Sequence, residues 1–246
     1  MSFEYFDKIK EIIEVVEAKE TETLKAAIDL MTKTILDGKT IYAFGASHAG
    51  IITQEVFYRA GGLALINPIF AKECMVDAVP ITQTSAMESL EGYGTVIAQS
   101  IDFQEADMLL VHSVSGRNPI AIDIVLAAKE KGVKVVSITN VKYSKETKSR
   151  HSSGLRLYEI SDIVIDNHGK TGDAVISIEG CPQTVGASST VIGALIANTL
   201  VVETVRNLVE TGMDPLPIFY SANIDGGREL NDKMIDNFRD RIKYQF

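Results

Sequence analysis

From Ile41 onwards the chain repeats one pattern. A short run of apolar residues is followed by small turn residues and then by a stretch with helical spacing. The apolar runs are Ile41–Phe44, Leu63–Ile69, Met108–Val111, Val133–Ile138 and Ile163–Ile165. None alternates with polar residues, so both faces of each strand are expected to be covered. The stretches between them include Ile51–Ala60 and Ile120–Lys131, the latter with Pro119 at its first turn and Gly132 at its end. A long apolar helix is predicted over Val185–Glu210. Strands that alternate with helices predict βαβ units. The expected architecture is α/β: a five-stranded, parallel, doubly wound sheet in a three-layer αβα sandwich.

Helices are added at both ends. Residues 3–37 carry Phe6, Ile9, Ile12, Ile13, Val16, Leu24, Ile28, Met31 and Ile35 at helical spacing, and the polar stretch Glu17–Thr23 suggests a break. One domain over 1–246 is predicted, with an N-terminal helical segment (1–38), a core (39–210) and a C-terminal extension (211–246). Apolar residues make up 46% of the 246, enough for a substantial core. The N-terminus lacks a basic and apolar leader, and the apolar stretch Val185–Val202 is broken by Gly186, Ser188, Ser189, Thr190, Gly193, Asn198 and Thr199. A soluble, cytoplasmic protein with no membrane partner is expected. The formal net charge of −9 argues against nucleic acid as a partner. The two cysteines, Cys74 and Cys181, form neither a disulfide framework nor a zinc motif.

In such a sheet, ligands bind beyond the C-terminal strand ends. Two turns there stand out: Gly45-Ala46-Ser47-His48-Ala49-Gly50 and His112-Ser113-Val114-Ser115-Gly116-Arg117-Asn118. Backbone N–H groups and serine hydroxyls at a helix start make an anion site without a lysine. The same residues also suit tight turns with a serine N-cap. Nucleotide motifs fit badly. Ile51 and Ile52 follow Gly50 where a P-loop has Lys and Ser or Thr, and Ser47 stands where the dinucleotide fingerprint has its middle glycine. The first loop also faintly resembles a nucleophile elbow, but it follows the first strand, the wrong place for one.

These residues resemble the sugar isomerase (SIS) domain, a flavodoxin-like fold that binds phosphosugars. The matching stretches are Glu55–Gly62, Ser113–Asn118, Ser149–Gly154, Asp166-Asn167 with Gly172-Asp173-Ala174, Ser189–Gly193 and Ser221–Gly226. The resemblance spans nearly the whole chain and implies that Ser113, Ser115 and the Ser189-Thr190 loop hold a phosphate. Gly116 and Asn118 belong to the same stretch, and Ser47 lies beside them. The first loop of the family more often reads Gly-x-Gly-His-Ser-His; here His48 is kept, Ser47 replaces a glycine, and Ala49 and Gly50 follow.

Aldose–ketose isomerisation moves a proton between neighbouring carbons through an enediol, so it needs a base within hydrogen-bond reach. Glu55, about two turns beyond Ser47, is the first candidate, although a surface helix glutamate would read the same. His48 could aid ring opening, or cap a helix. His151 lies in a polar run that composition alone would make a solvated loop; the resemblance raises it to a candidate. His112 at a buried strand end reads as a core histidine. Glu88 and Glu91 flank Ser89-Leu90 after a long loop that could act as a lid. No metal and no cofactor are expected.

The reading is a phosphosugar isomerase. A lyase or dehydratase on an amino-sugar phosphate, and a non-catalytic phosphosugar sensor, are the alternatives. The resemblance and the apolar surface of the end helices predict a homodimer or higher homo-oligomer.

Overall fold

The computed structural model describes residues 3–244. Met1 and Ser2, the head of the expected N-terminal segment, lie outside that range, as do Gln245 and Phe246 at the tail of the C-terminal extension. The elements in chain order are α1 (Glu4–Leu36), β1 (Ile41–Gly45), α2 (Gly50–Glu55), β2 (Ile66–Ile69), α3 (Thr82–Glu88), α4 (Tyr93–Gln99), β3 (Met108–His112) and α5 (Pro119–Glu130). There follow β4 (Lys134–Thr139), α6 (Val141–Glu146), α7 (Leu157–Ile160), β5 (Ile163–Asp166), β6 (Ala174–Ile176), β7 (Val185–Ala187), α8 (Ser189–Glu210) and α9 (Gly227–Phe238).

Strands β1 to β5 form the predicted five-stranded parallel sheet, in the order β2-β1-β3-β4-β5. Every residue of β1 and β3 is buried, which is why neither run alternates. One face carries α1, α2 and α8, with Met31, Ile35, Ile192, Ile196 and Leu200 fully buried against the strands. The other carries α4, α5 and α7, around Phe44, Leu109, Val111, Ile120 and Val125. The chain winds to opposite faces after β1 and β3, so the loops that follow these two strands part and leave a crevice between them.

Four stretches differ from the sequence reading. Helix α1 runs unbroken through 17–23: its polar residues face solvent, and the buried Glu20 takes a hydrogen bond of 2.8 Å with His168 Nε2. Helix α2 stops at Glu55 rather than Ala60, and Tyr58 adopts a left-handed backbone (φ 42°) that a helix excludes. Strand β2 begins only at Ile66 because Leu63 and Ala64 pair instead with the C-terminal segment, through an antiparallel bridge to Ile218 and a bond from Ala64 N to Pro217 O. Finally, Val185–Ala187 is not helical. It pairs with β6 as a hairpin, and Gly186 at φ 77° bars helix there, so α8 starts at Ser189.

Candidate functional site

The crevice between the β1 and β3 loops opens into a cleft of about 270 Å³. Ser47, His48, Glu88, Ser113, Ser115, Asn118, Tyr143 and Asp173 line it, with Ala46, Ala49, Val114 and Gly172 between them. Larger cavities of about 480 and 560 Å³ lie toward β2 and along Ile101–Glu105. Neither opens at a strand C-terminus near the two serine loops, where polar groups converge.

The β3 loop presents a run of unpaired donors to the cleft. Among the described residues, the backbone N–H groups of Val114, Ser115, Gly116, Arg117 and Asn118 donate to no other group of the chain, nor do the hydroxyls of Ser113 and Ser115. The loop itself is fixed from below. Thr139 Oγ1 donates to the carbonyls of Ser113 and Val114, at 2.7 and 3.1 Å, and Asn140 N donates to Val114 O. Gly116 has φ 59°, and a Cβ there would stand 3.1–3.2 Å from Thr139, Leu157 and Ser144. Both conformation and space therefore require glycine. No side chain caps α5: its N-cap residue, Asn118, turns its amide into the cleft instead. The capping alternative for these serines does not describe them.

The β1 loop is held by His112. Its Nδ1 stands 3.2 Å from Ala49 O, and its Nε2 is buried without a partner, against Gly193 of α8. A carbonyl only accepts, so Nδ1 carries the proton and Nε2 is bare. Burial pushes this histidine down to about 4, against the opposing pull of the Ala49 bond and the Asp173 charge. It is neutral at physiological pH, the core histidine expected. Gly45 allows the tight turn: a Cβ there would stand 2.3 Å from Ala49 O. Ser47 takes a left-handed backbone, φ 54°, at the position where the family pattern has glycine.

Two carboxylates face the cleft. Asp173 is spent on α8. Its Oδ1 accepts from the backbone N–H of Ser188 and of Ser189, at 3.1 and 2.7 Å, and its Oδ2 accepts from the Ser189 hydroxyl at 2.7 Å. Glu88, at the end of α3, accepts from Asn118 Nδ2 at 2.6 Å, with Ser47 on the same cleft wall. Burial lifts its carboxyl above the usual range, while Asn118, Ser47 and the charges of Arg150 and His48 pull it back. Among the described residues lining the cleft, none is Lys or Arg, and no group of three His, Cys, Asp or Glu side chains could hold a metal ion.

The structure thus brings Ser47, His48, Ser113, Ser115 and Asn118 to one cleft, with Gly116 beneath them. It does not bring Glu55, His151 or Thr190 to the wall. The Glu55 carboxylate is paired with Arg59 and accepts from Asn198 of α8 at 3.0 Å. His151 has both ring nitrogens engaged, Nε2 with Asp123 at 3.1 Å and Nδ1 with Ser153 at 2.7 Å. Ser189 sits behind Asp173, which takes the donors expected for a phosphate. Sequence reasoning gave no role to Glu88, Tyr143 or Asp173. The Gly-Asp-Ala triplet was a signal for Asp173; only the course of the segment after β2 reveals Glu88.

An SIS domain model matches residues 4–140, more than half of the chain. The chain belongs to the SIS domain family. It is 48% identical over 241 residues to a UPF0309 protein of Shouchella clausii, covering 98% of both chains. Identity to a UPF0309 protein of Oceanobacillus iheyensis is 47% over the same length and coverage. Among solved structures, a phosphoheptose isomerase from Francisella tularensis superimposes with a TM-score of 0.53 at 15% identity, covering 82% of this chain and 94% of that one. One from Neisseria gonorrhoeae gives 0.52 at 16% identity, over 81% and 94%. At these identities the likeness is one of SIS fold.

Proposed function

We propose that the cleft binds a phosphosugar and that the protein isomerises it between aldose and ketose through an enediol, residues 1–246 acting as one SIS unit. The observation that carries this reading is the β3 loop. Among the described residues, five consecutive backbone N–H groups and two serine hydroxyls have no partner, and they stand at the strand-order reversal, where such sheets bind ligands. Neutral donors suit a phosphate whose charge is shared among several oxygens. The sugar then extends toward His48, Tyr143 and Glu88. Because Asp173 already fills the α8 N-terminus, Ser189 and Thr190 support that end of the cleft, and Ser113 and Ser115 make the direct phosphate contacts.

The protein is proposed to act as a homo-oligomer in the cytoplasm, with a small-molecule partner and neither nucleic acid nor membrane. Val191, Leu195, Val202 and Val209 form one exposed stripe along α8, fit for the same helix of a second copy. Glu55, joined to Asn198 of α8, would border that contact. A catalytic part for Glu55 therefore needs the neighbouring copy's cleft.

A thermal-shift screen tests the reading. It compares heptose, hexose and amino-sugar phosphates with their unphosphorylated parents. A phosphate ester at 100 times its Kd adds about 2.7 kcal/mol, and the parent sugar is expected to add almost nothing. Equal shifts from ester and parent, or no shift at all, would remove the phosphate site.

A further inference from the structure

We propose that Glu88 is the group that takes and returns the substrate proton in the cleft, held in place by a chain running from Glu88 through Asn118 to Arg150. This deepens the phosphosugar reading and rests on it. Of the two carboxylates on the cleft wall, both oxygens of Asp173 accept from the N-terminus of α8. Among the described residues, Glu88 accepts a hydrogen bond from Asn118, which itself lines the cleft. Its position is defined by donors of fixed direction. Arg150 Nη1 donates to Asn118 Oδ1 at 3.1 Å. A guanidinium only donates, so the Asn118 oxygen must face Arg150 and its NH₂ must face Glu88. The bond from Asn118 Nδ2 to Glu88 is therefore set by the arginine.

Arg150 is itself tied down. Its backbone N–H donates to Arg117 O at 3.0 Å, and the next residue, His151, bonds Asp123 in the first turns of α5. The Ser149–Ser153 segment acts as a strap that fixes the orienting arginine to the loop carrying Ser113 and Ser115. His151 is a positioning residue in that strap. On the other side of the cleft, Ser47 stands on a left-handed backbone, a conformation a serine rarely takes. A base, an orienting group behind it and anion donors across one cleft are the parts an enolisation needs.

The step balances within the substrate. In the open-chain sugar phosphate, a Glu88 oxygen takes the proton from the carbon beside the carbonyl. The C–H electron pair becomes the C=C bond of the enediol, while the carbonyl oxygen gains a proton from solvent or His48. The Glu88 carboxylic acid exchanges that proton with solvent and then protonates the neighbouring carbon, while the hydroxyl there loses its own proton as the new carbonyl forms. No outside oxidant or reductant is required.

The test uses the full-length protein in D₂O with fructose 6-phosphate, glucosamine 6-phosphate and sedoheptulose 7-phosphate as probes. Titration calorimetry reads binding, and proton NMR reads deuterium uptake at C1 and C2. Glu88→Gln keeps size and hydrogen bonding. It is expected to bind the best probe as well as the wild type while deuterium uptake falls by about 10²- to 10⁴-fold. Glu88→Asp keeps the charge one methylene back and recovers part of that rate; it also serves as the second variant should Glu88→Gln melt early. Undiminished uptake by a Glu88→Gln protein that still binds overturns the assignment. So does a wild type that binds a probe without uptake, although phosphosugar binding then stands. If no probe binds the wild type, the phosphosugar reading falls, and the role of Glu88 with it.

Discussion

A buried histidine makes this molecule sensitive to acid. His112 is neutral when folded, with its ionisation pushed down to about 4, against an unfolded value near 6.5. Below pH 6.5 the unfolded chain gains a proton that the folded chain refuses. Stability is therefore fully present above that pH and falls as pH drops toward 4, by roughly 3 kcal/mol in all. Urea midpoints between pH 7 and 4.5 should show this loss. His112→Gln, which can still donate toward Ala49 O, should lose less over the same window; an identical acid slope in both proteins would contradict the assignment. At this scale the sequence was half legible. The serine loops are visible because hydroxyl-rich turns at two strand ends suit an anion site as well as an N-cap. Glu88 was not, because a glutamate after a long loop looks the same whether it faces solvent or a cleft. Glu55 and His151 came from motif position, and what a side chain meets depends on neighbours such as Arg59, Asn198 and Asp123 that lie far away in sequence.

At the scale of elements, the strap and the β3 loop depend on how closely α4 meets α5. Gly94 is the contact point: a Cβ there would stand 2.3 Å from Ile120 O and 2.6 Å from Asp123 Cβ. Asp123 also accepts from Gly92 N at 2.8 Å while it holds His151, so one aspartate joins three segments. Gly94→Ala is expected to push α4 off α5 at a cost of about 1–3 kcal/mol. Weaker sugar-phosphate binding should accompany that cost, because Asn118 begins α5. An unchanged denaturation midpoint would show that the contact yields freely. The long strands and α5 were legible from apolar runs and the Pro119–Gly132 punctuation. The hairpin of β6 and β7 was not, since three-residue strands carry too little pattern. The start of β2 was misread because its first residues look like any buried strand, although Leu63 pairs with Ile218, far away in sequence.

For the whole molecule, strand order decides where the crevice opens. The order β2-β1-β3-β4-β5 turns back between β1 and β3, and the serine loops follow those two strands. The alternation of strand and helix makes a parallel, doubly wound sheet readable from sequence; the order of its strands and which helix faces stay open are not readable until they pack. The α8 stripe predicts self-association. Light scattering should give at least twice the mass of one chain. Val202→Asp, at a position 54% exposed, should return the mass toward a single chain with little change in the folding of each copy. A wild type with the mass of one chain would remove the predicted contact. The most direct measurement is a crystal structure with a bound sugar phosphate. The phosphate is expected within about 3 Å of the Ser113 and Ser115 hydroxyls and the N–H groups that follow them, with the sugar carbons facing Glu88. A phosphate bound elsewhere, or a sugar turned away from Glu88, would contradict the site described.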